Sequence, residues 1–494
     1  MWKLFKNKEK KEKEMITKEN LTMLTDFYEI TMANGYFANG MGDEIAYFDM
    51  FFRRVPDGGG YAIMAGVEQV IEYLKNLKFE KEDIDYLRSK GCFSEDFLKY
   101  LENFKFSCDV WAIEEGTPIF PHEPILTVRG PVIQSQFVES MILLIINHQS
   151  LIATKASRIV RSAAGRPVME FGTRRAHGSA AAIYGARATY IAGCAATACT
   201  IADRDHGIPA TGTMAHSWVQ MFPTEYDAFK AYAEVYPDNC VLLVDTYNVL
   251  KSGVPAAIKV FKEMKPKSMG IRIDSGDITY LTKKARKMLD DAGLQNCKIV
   301  ISNSLDEYII RDVLLEGAQI DSFGVGERMI AAKSEPVFGG VYKLVALEDE
   351  DGNIIPKIKV SENVEKITNP GFKTLYRLFD KDNNKALADV ITVDGEAIPA
   401  ECGEGEGYEI FDPNAIWKRK TLINFYAKNI RVPLFINGEC VYKSPGIEEI
   451  KKNCEEQMKT LWDEMLRFEN PQTYYVDLSQ DLWDMKEELL NKAI

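Results

Sequence analysis

From Arg166 onward, short apolar runs alternate with helical patterns, and each run ends in a polar turn. Val168-Met169-Glu170-Phe171 enters Gly172-Thr173-Arg174-Arg175 and a helix over 179–192. The run 241–244 enters Asp245-Thr246-Tyr247-Asn248 and a helix to Met264, and 269–273 enters Asp274-Ser275-Gly276-Asp277 and a helix to Ala292. The run 298–301 enters Ser302-Asn303-Ser304 and a helix over 306–315, and Ser322-Phe323 opens Gly324-Val325-Gly326. Serial strand–helix units of this length place the strands parallel under covering helices. Polar residues follow every strand, which favours a β/α barrel whose carboxyl-end loops converge on one site. In an open sheet only the loops near the switch point need such chemistry.

The flanking chain reads differently. A helix over 24–37 enters through Thr25 and Asp26, good N-cap residues, and a strand over 45–52 runs into Arg53-Arg54-Val55-Pro56-Asp57-Gly58-Gly59-Gly60-Tyr61. That turn is either a flexible tip or a loop presenting two guanidinium forks to an anion. Helices follow over 68–77 and 83–104. Short strands over 109–128, punctuated by Pro118, Pro121 and Pro124, predict a small antiparallel sheet, and a long helix runs from Pro131 to about 164. The chain therefore divides into a lysine-rich tail (1–14), an N-terminal α/β domain (15–130), a barrel (131–345) and C-terminal segments (346–494) that return to the first domain or to a subunit interface. In the last part, 380–384 is a hairpin turn and 401–407 an acidic loop. Ile447, Ile450, Cys454, Met458, Leu461 and Met465 recur at helical spacing, with a further helix over 482–490.

Composition limits the partners. Across 494 residues the net charge is -13, which disfavours nucleic acid or an anionic membrane surface as a partner, so an anionic substrate requires a local basic cluster. Nine scattered cysteines without a CxxC pair point to free thiols in a reducing compartment, the cytoplasm. The tail has no apolar core of a secretory leader, and the apolar run 141–146 is too short to cross a bilayer.

The barrel loops supply what an anionic sugar needs. Arg174, Arg175 and Arg272 are cationic; Gly172, Gly276, Gly324 and Gly326 let an oxygen approach backbone N–H groups; Ser275, Ser302 and Ser304 are hydroxyl donors. Asp245, Asp274 and Asp277 could take sugar hydroxyls or Mg2+. N-capping explains any one Asp or Ser equally well, but it does not call for arginines on the same loops. Gly212-Thr213-Met214-Ala215-His216-Ser217-Trp218 delivers one of only five histidines at what reads as the end of a buried strand. His177 follows the arginine pair; His122, His148 and His206 carry no motif.

Leu24-Thr25-Asp26-Phe27-Tyr28, Arg53-Arg54 with its glycine turn, Glu170-Phe171-Gly172-Thr173-Arg174-Arg175-Ala176-His177-Gly178, Gly212-Thr213-Met214-Ala215-His216-Ser217, Arg272-Ile273-Asp274-Ser275-Gly276-Asp277 and Gly339-Gly340-Val341-Tyr342-Lys343-Leu344-Val345 together resemble nicotinate phosphoribosyltransferase, in order, from Leu24 to about Pro370. The resemblance implies ATP-assisted condensation of nicotinate with phosphoribosyl pyrophosphate to nicotinate mononucleotide and pyrophosphate, in NAD salvage. It also implies an irregular β/α barrel with a second α/β domain, Mg2+, and a homodimer whose sites are shared. Residue by residue, His216 resembles the histidine phosphorylated by ATP. Phe171 and the partner subunit's Tyr28 would stack on the pyridine, and Thr213 would line the base pocket. Arg174 and Arg272 would bind the carboxylate or the phosphoribosyl pyrophosphate, and Asp274 the ribose. The loops at Ser302, Gly324 and Gly326 would cradle the 5'-phosphate, Ser275 and Gly276 would bind substrate, and the partner subunit's Arg53 would reach the pyrophosphate. Asp277 is a candidate metal ligand.

The pyridine nitrogen is already nucleophilic, so the reaction demands no general base. His216 is thereby free to accept a phosphoryl group. Three alternatives stand beside this reading. A nicotinamide enzyme would need a carboxylate facing the amide. A Schiff-base lyase would need a lysine ending a barrel strand, and none does. A non-catalytic relative would be expected to have lost part of the loop set.

Overall fold

The computed structural model describes residues 20–403, 405–413 and 415–493, so the lysine-rich tail 1–14 lies outside the described residues. The strand–helix units fold as expected. Six parallel strands lie in the order Ala196–Thr197, Val168–Glu170, Ser322–Val325, Lys298–Ile301, Met269–Ile273, Cys240–Leu243. They curl into a partial, irregular barrel. Val300 and Ile301 of the central strand are buried, as are Ile271, Ile273, Phe323 and Val325 beside it. The ladder does not close: Thr197 bridges Ala210 at one edge, and Cys240–Leu243 is the other.

The His216 stretch therefore differs from its sequence reading. It does not end a strand. Residues 211–215 form an irregular segment that leaves the Ala210 bridge and crosses towards the opposite edge, and His216 opens the short helix His216–Gln220. The two-residue strand Ala196–Thr197 is too short to leave a periodic signal.

The second layer is an antiparallel sheet larger than the one expected over 109–128. Its order is Ile354–Pro356, Gly340–Glu348, Ile45–Phe52, Leu126–Pro131, Asp109–Ile113, Arg431–Ile436, Glu439–Cys440. Late strands pair on both sides of the early ones: Phe48 opposite Leu344, and Val110 opposite Phe435. Seven of the eight residues of Ile45–Phe52 are buried, so both faces are covered. The single helical stretch expected over 83–104 is two helices, Lys81–Ser89 and Glu95–Glu102, the second started by Ser94 Oγ accepting from the Phe97 N–H. A five-stranded sheet built on Lys373–Asp380 and Ala386–Val393 follows, and it takes Glu401–Cys402 from the acidic loop as an edge strand.

Between the two layers runs Glu139–Ser162, packed on the helices Ser179–Ile191 and Glu307–Leu315. Val132–Ser162 is long and apolar enough to cross a membrane by composition, but two-thirds of its most apolar window is buried in the protein, as in a core helix. Lys155, only 4% exposed, sits on this helix. Its ammonium lies 2.9 Å from Asp57 and from Glu307 and 2.8 Å from Ser334 Oγ, while Arg158 Nε donates to Glu307 Oε1 at 2.8 Å. Glu335 accepts from the Asp57 N–H and from Arg54. The arginine turn 53–60 is thus fastened to the barrel, with Asp57 at a left-handed φ of 56°.

Candidate active site

Three loops meet around one guanidinium. Arg272 is the penultimate residue of the Met269–Ile273 strand, and its side chain is 15% exposed. Its Nε donates to Ser302 Oγ at 2.6 Å and its Nη1 to Thr213 Oγ1 at 3.1 Å and the Met214 carbonyl at 3.4 Å. Its Nη2 reaches Asp274 Oδ1 at 3.4 Å. Ser302 in turn donates to Asp274 Oδ1 at 2.7 Å. A planar fork with fixed donor directions can hold three loops at once, which a lysine cannot.

Beside this cluster stands Phe171, whose ring centroid is 5.7 Å from the Arg272 guanidinium carbon. A Cβ at Gly324 would come within 2.4 Å of that ring, so glycine at 324 is what lets the phenyl lie against the backbone. Glu170, just before it, is fully buried. One carboxylate oxygen accepts from the Gly172 N–H and the other from Thr197 Oγ1 at 2.6 Å, which fixes the turn; burial raises its pKa. Arg174 and Arg175 follow, both exposed.

His216 faces this cluster across the barrel gap with 41% of its side chain exposed. Nδ1 lies 3.1 Å from Thr246 Oγ1, and Nε2 lies 3.9 Å from Asp274 Oδ2. Thr246 belongs to the loop after Cys240–Leu243, so the imidazole bridges the two free edges of the sheet. Asp245, one residue earlier, accepts from the Asp274 N–H at 3.0 Å and from Ser275 Oγ at 2.6 Å, while its Oδ1 is buried without a hydrogen-bond partner. Gly276 takes the left-handed φ of 85° that this turn requires.

Phe171, Thr213, His216, Arg272, Asp274, Ser275, Gly276, Ser302 and Gly324 thus come together, with Gly326 starting the turn after Ser322–Val325. Other candidates stand differently. Asp277 accepts from the Tyr280 N–H at 2.6 Å, the N-cap arrangement. Tyr28 is exposed on Phe27–Ala38, and Arg53 Nε donates to the Glu365 carbonyl at 3.2 Å, in a short turn after the antiparallel sheet's strand Ile354–Pro356. Thr246 and Thr197 were missed as site-shaping residues: Thr246 sits in a loop singled out for its aspartate, and nothing marks a threonine that orients a distant histidine.

Comparison with known proteins gives a consistent result. A family model described as nicotinate phosphoribosyltransferase (NAPRTase) N-terminal domain matches residues 23–147, and that of the C-terminal domain matches 372–486. The barrel lies between the two and is covered by full-length relatives. The chain is 42% identical to nicotinate phosphoribosyltransferase of Bacillus subtilis (strain 168) over 477 residues, 96% of each chain. It is 32% identical to that of Dictyostelium discoideum, over 94% of this chain and 88% of the relative. The crystal structure of human nicotinic acid phosphoribosyltransferase superposes with a TM-score of 0.82 at 27% identity, covering 94% of this chain and all of the other.

Proposed function

The chain belongs to the nicotinate phosphoribosyltransferase family, and from that premise we propose that it condenses nicotinate with phosphoribosyl pyrophosphate in the barrel mouth, coupled to ATP through His216, in NAD salvage. The observation that carries the reading is the Arg272–Ser302–Asp274 cluster placed between the Phe171 ring and the His216 imidazole.

The pyridine nitrogen lone pair forms the new bond to the anomeric carbon as the carbon–oxygen bond to pyrophosphate breaks, and both electrons leave with pyrophosphate. Positive charge develops on the sugar and negative charge on the leaving group. Arg272 and the exposed Arg174 answer the anions, and the Asp274 carboxylate stands where cationic sugar character is stabilised. The base stacks on Phe171, with Thr213 lining its pocket. The partner subunit's Tyr28 covers the other face, and the partner subunit's Arg53 reaches the pyrophosphate, in a homodimer. The exposed Leu24, Phe27, Tyr28 and Met32 on and beside one helix support such an interface. Backbone N–H groups at Gly276, Gly324 and Gly326 hold phosphate oxygens.

Asp245 and Asp274 fit Mg2+: both are hard carboxylate donors, and Asp245 Oδ1 has no partner in the protein. Bound there, Mg2+ would neutralise charge on the leaving pyrophosphate. Asp277, as a helix cap, has a weaker claim. With Nδ1–H donated to Thr246, His216 Nε2 keeps its lone pair and attacks the γ-phosphorus of ATP; the nitrogen–phosphorus bond forms as ADP leaves with the bridging oxygen. The added charge orders the surrounding loops for substrate.

Purified protein with phosphoribosyl pyrophosphate and Mg2+ is expected to release pyrophosphate with nicotinate far faster than with nicotinamide, and faster again with ATP. Arg272 and Arg174 near Phe171 suit a carboxylate rather than an amide. Equal rates on both bases would overturn the assignment. In His216→Ala, rates with and without ATP are expected to coincide; an ATP-stimulated alanine enzyme would remove the phosphohistidine step.

A further inference from the structure

Glu170 ends the strand Val168–Glu170 as a fully buried carboxylate, and among the described residues no cation pairs with it. The buried carboxylates of Glu115 and Glu307, by contrast, face guanidinium or ammonium groups at 2.7–2.9 Å. Glu170 is held by two neutral donors instead: the Gly172 N–H on Oε1 and the Thr197 hydroxyl on Oε2, the latter at 2.6 Å. The first of these bonds reaches over Phe171, whose own N–H donates to the Val325 carbonyl at 2.7 Å. The backbone is therefore fastened before, at and after the residue that carries the ring. A Cβ at Gly172 would stand 2.6 Å from Ile330 and 2.8 Å from Glu170 Oε1, so glycine there is what admits the carboxylate.

Thr197 fastens the other oxygen to the neighbouring strand. Its hydroxyl accepts from the Cys199 N–H at 3.0 Å, which leaves its one hydrogen for Glu170. Its backbone holds the start of the histidine segment: the Thr197 N–H donates to the Pro209 carbonyl at 3.0 Å, and its carbonyl accepts from the Thr211 N–H at 2.8 Å. Two residues on, Thr213 Oγ1 meets Arg272. Burying a carboxylate without a counter-ion costs stability. What this one supplies is a pair of acceptor oxygens, which a glutamine does not have, at the point where the Phe171 turn and the segment leading to His216 meet.

We propose that Glu170 and Thr197 are a positioning pair for the reaction: together they set the Phe171 ring and the Arg174 turn against the edge strand that leads to Thr213, and so shape the seat of the pyridine. Both side chains are fully buried, so they act through the residues they hold. The inference rests on the reading of Phe171 as the residue that stacks on the base, and adds which groups keep it in place. Ser302 and Gly324, read as phosphate-binding, stand on or after the strands Lys298–Ile301 and Ser322–Val325, whose turns neither side chain bonds. Loss of the pair should therefore separate the two substrates.

The test uses the full chain and steady-state pyrophosphate release, with nicotinate and phosphoribosyl pyrophosphate varied in turn. Thr197→Val removes the hydroxyl at nearly constant shape, Thr197→Ser keeps it, and Glu170→Gln probes the other half of the bond. The valine and glutamine variants are expected to raise KM for nicotinate about tenfold and to leave KM for phosphoribosyl pyrophosphate within about twofold of wild type, the mark of a misplaced base pocket. Thr197→Ser is expected to match the wild type. Melting temperatures show which variants are folded, and if Thr197→Val is not, Glu170→Gln, which keeps size and shape, decides. Equal rises in both KM values, as a general loosening would give, would sink the proposal. So would an unchanged KM for nicotinate, or a serine variant as impaired as the valine one. A wild type that releases no pyrophosphate with nicotinate refutes the functional reading itself; an active wild type whose variants keep a normal KM for nicotinate refutes only the positioning pair.

Discussion

Arg272→Ala is expected to lower kcat/KM for pyrophosphate release by about 10²–10³-fold, the cost of removing one preorganised donor from a site where negative charge develops. The loss goes beyond one charge. Without the guanidinium, Ser302 keeps only its bond to Asp274, Thr213 and the Met214 carbonyl lose their shared donor, and the segment carrying His216 is released from the strand that anchors it. Arg272→Lys is therefore expected to recover little, because one ammonium cannot span Ser302, Thr213 and Met214. Steady-state kinetics on both variants, with melting temperatures to show that each is folded, check this. A lysine enzyme within a few-fold of wild type would mean that charge alone matters at 272.

Lys155→Met is expected to be the most destabilising single change outside the site, by about 3–5 kcal/mol. The ammonium is buried with Asp57, Glu307 and Ser334 around it, so its removal strands the Asp57 carboxylate and leaves Glu307 with Arg158 alone. Melting should fall markedly, and an added Asp57→Asn should restore part of the loss by removing the unpaired charge. A chain of this size is expected to unfold irreversibly, so scan rates must be matched. A Lys155→Met protein melting with the wild type would show that the group contributes no net stability.

The barrel was legible because its units repeat: a short β-rich run, a polar turn and an amphipathic helix recur at intervals that local pattern alone can detect. The turns also exposed the site, since Arg272, Asp274, Ser302 and Gly324 sit at the same point of successive units. What local pattern cannot carry is pairing between distant segments. Nothing in Gly340–Glu348 announces that it lies beside Ile45–Phe52, or in Arg431–Ile436 that it lies beside Asp109–Ile113, and the sheet expected over 109–128 came out too small for that reason. The small apolar residues of the His216 stretch fit a strand, while its course is set by Arg272 and Thr246, neither a neighbour in sequence. Lys155 was invisible in the same way: a lysine in a helix looks solvated until Asp57 and Glu307 arrive from elsewhere.

The antiparallel sheet also bears on how the chain is made. During synthesis from the amino terminus, Asp109–Ile113 emerges early, but the strand that covers its open side, Arg431–Ile436, emerges after the whole barrel. Throughout that interval a nascent chain carries an unpaired strand edge next to apolar core residues, the kind of surface that captures other strands. The barrel between can fold from contacts close in sequence, whereas the first-made layer is completed last. A truncation after Ile436 would leave the sheet's pairing strand in place, but a stop before Arg431 should yield a protein that aggregates, however intact its catalytic loops.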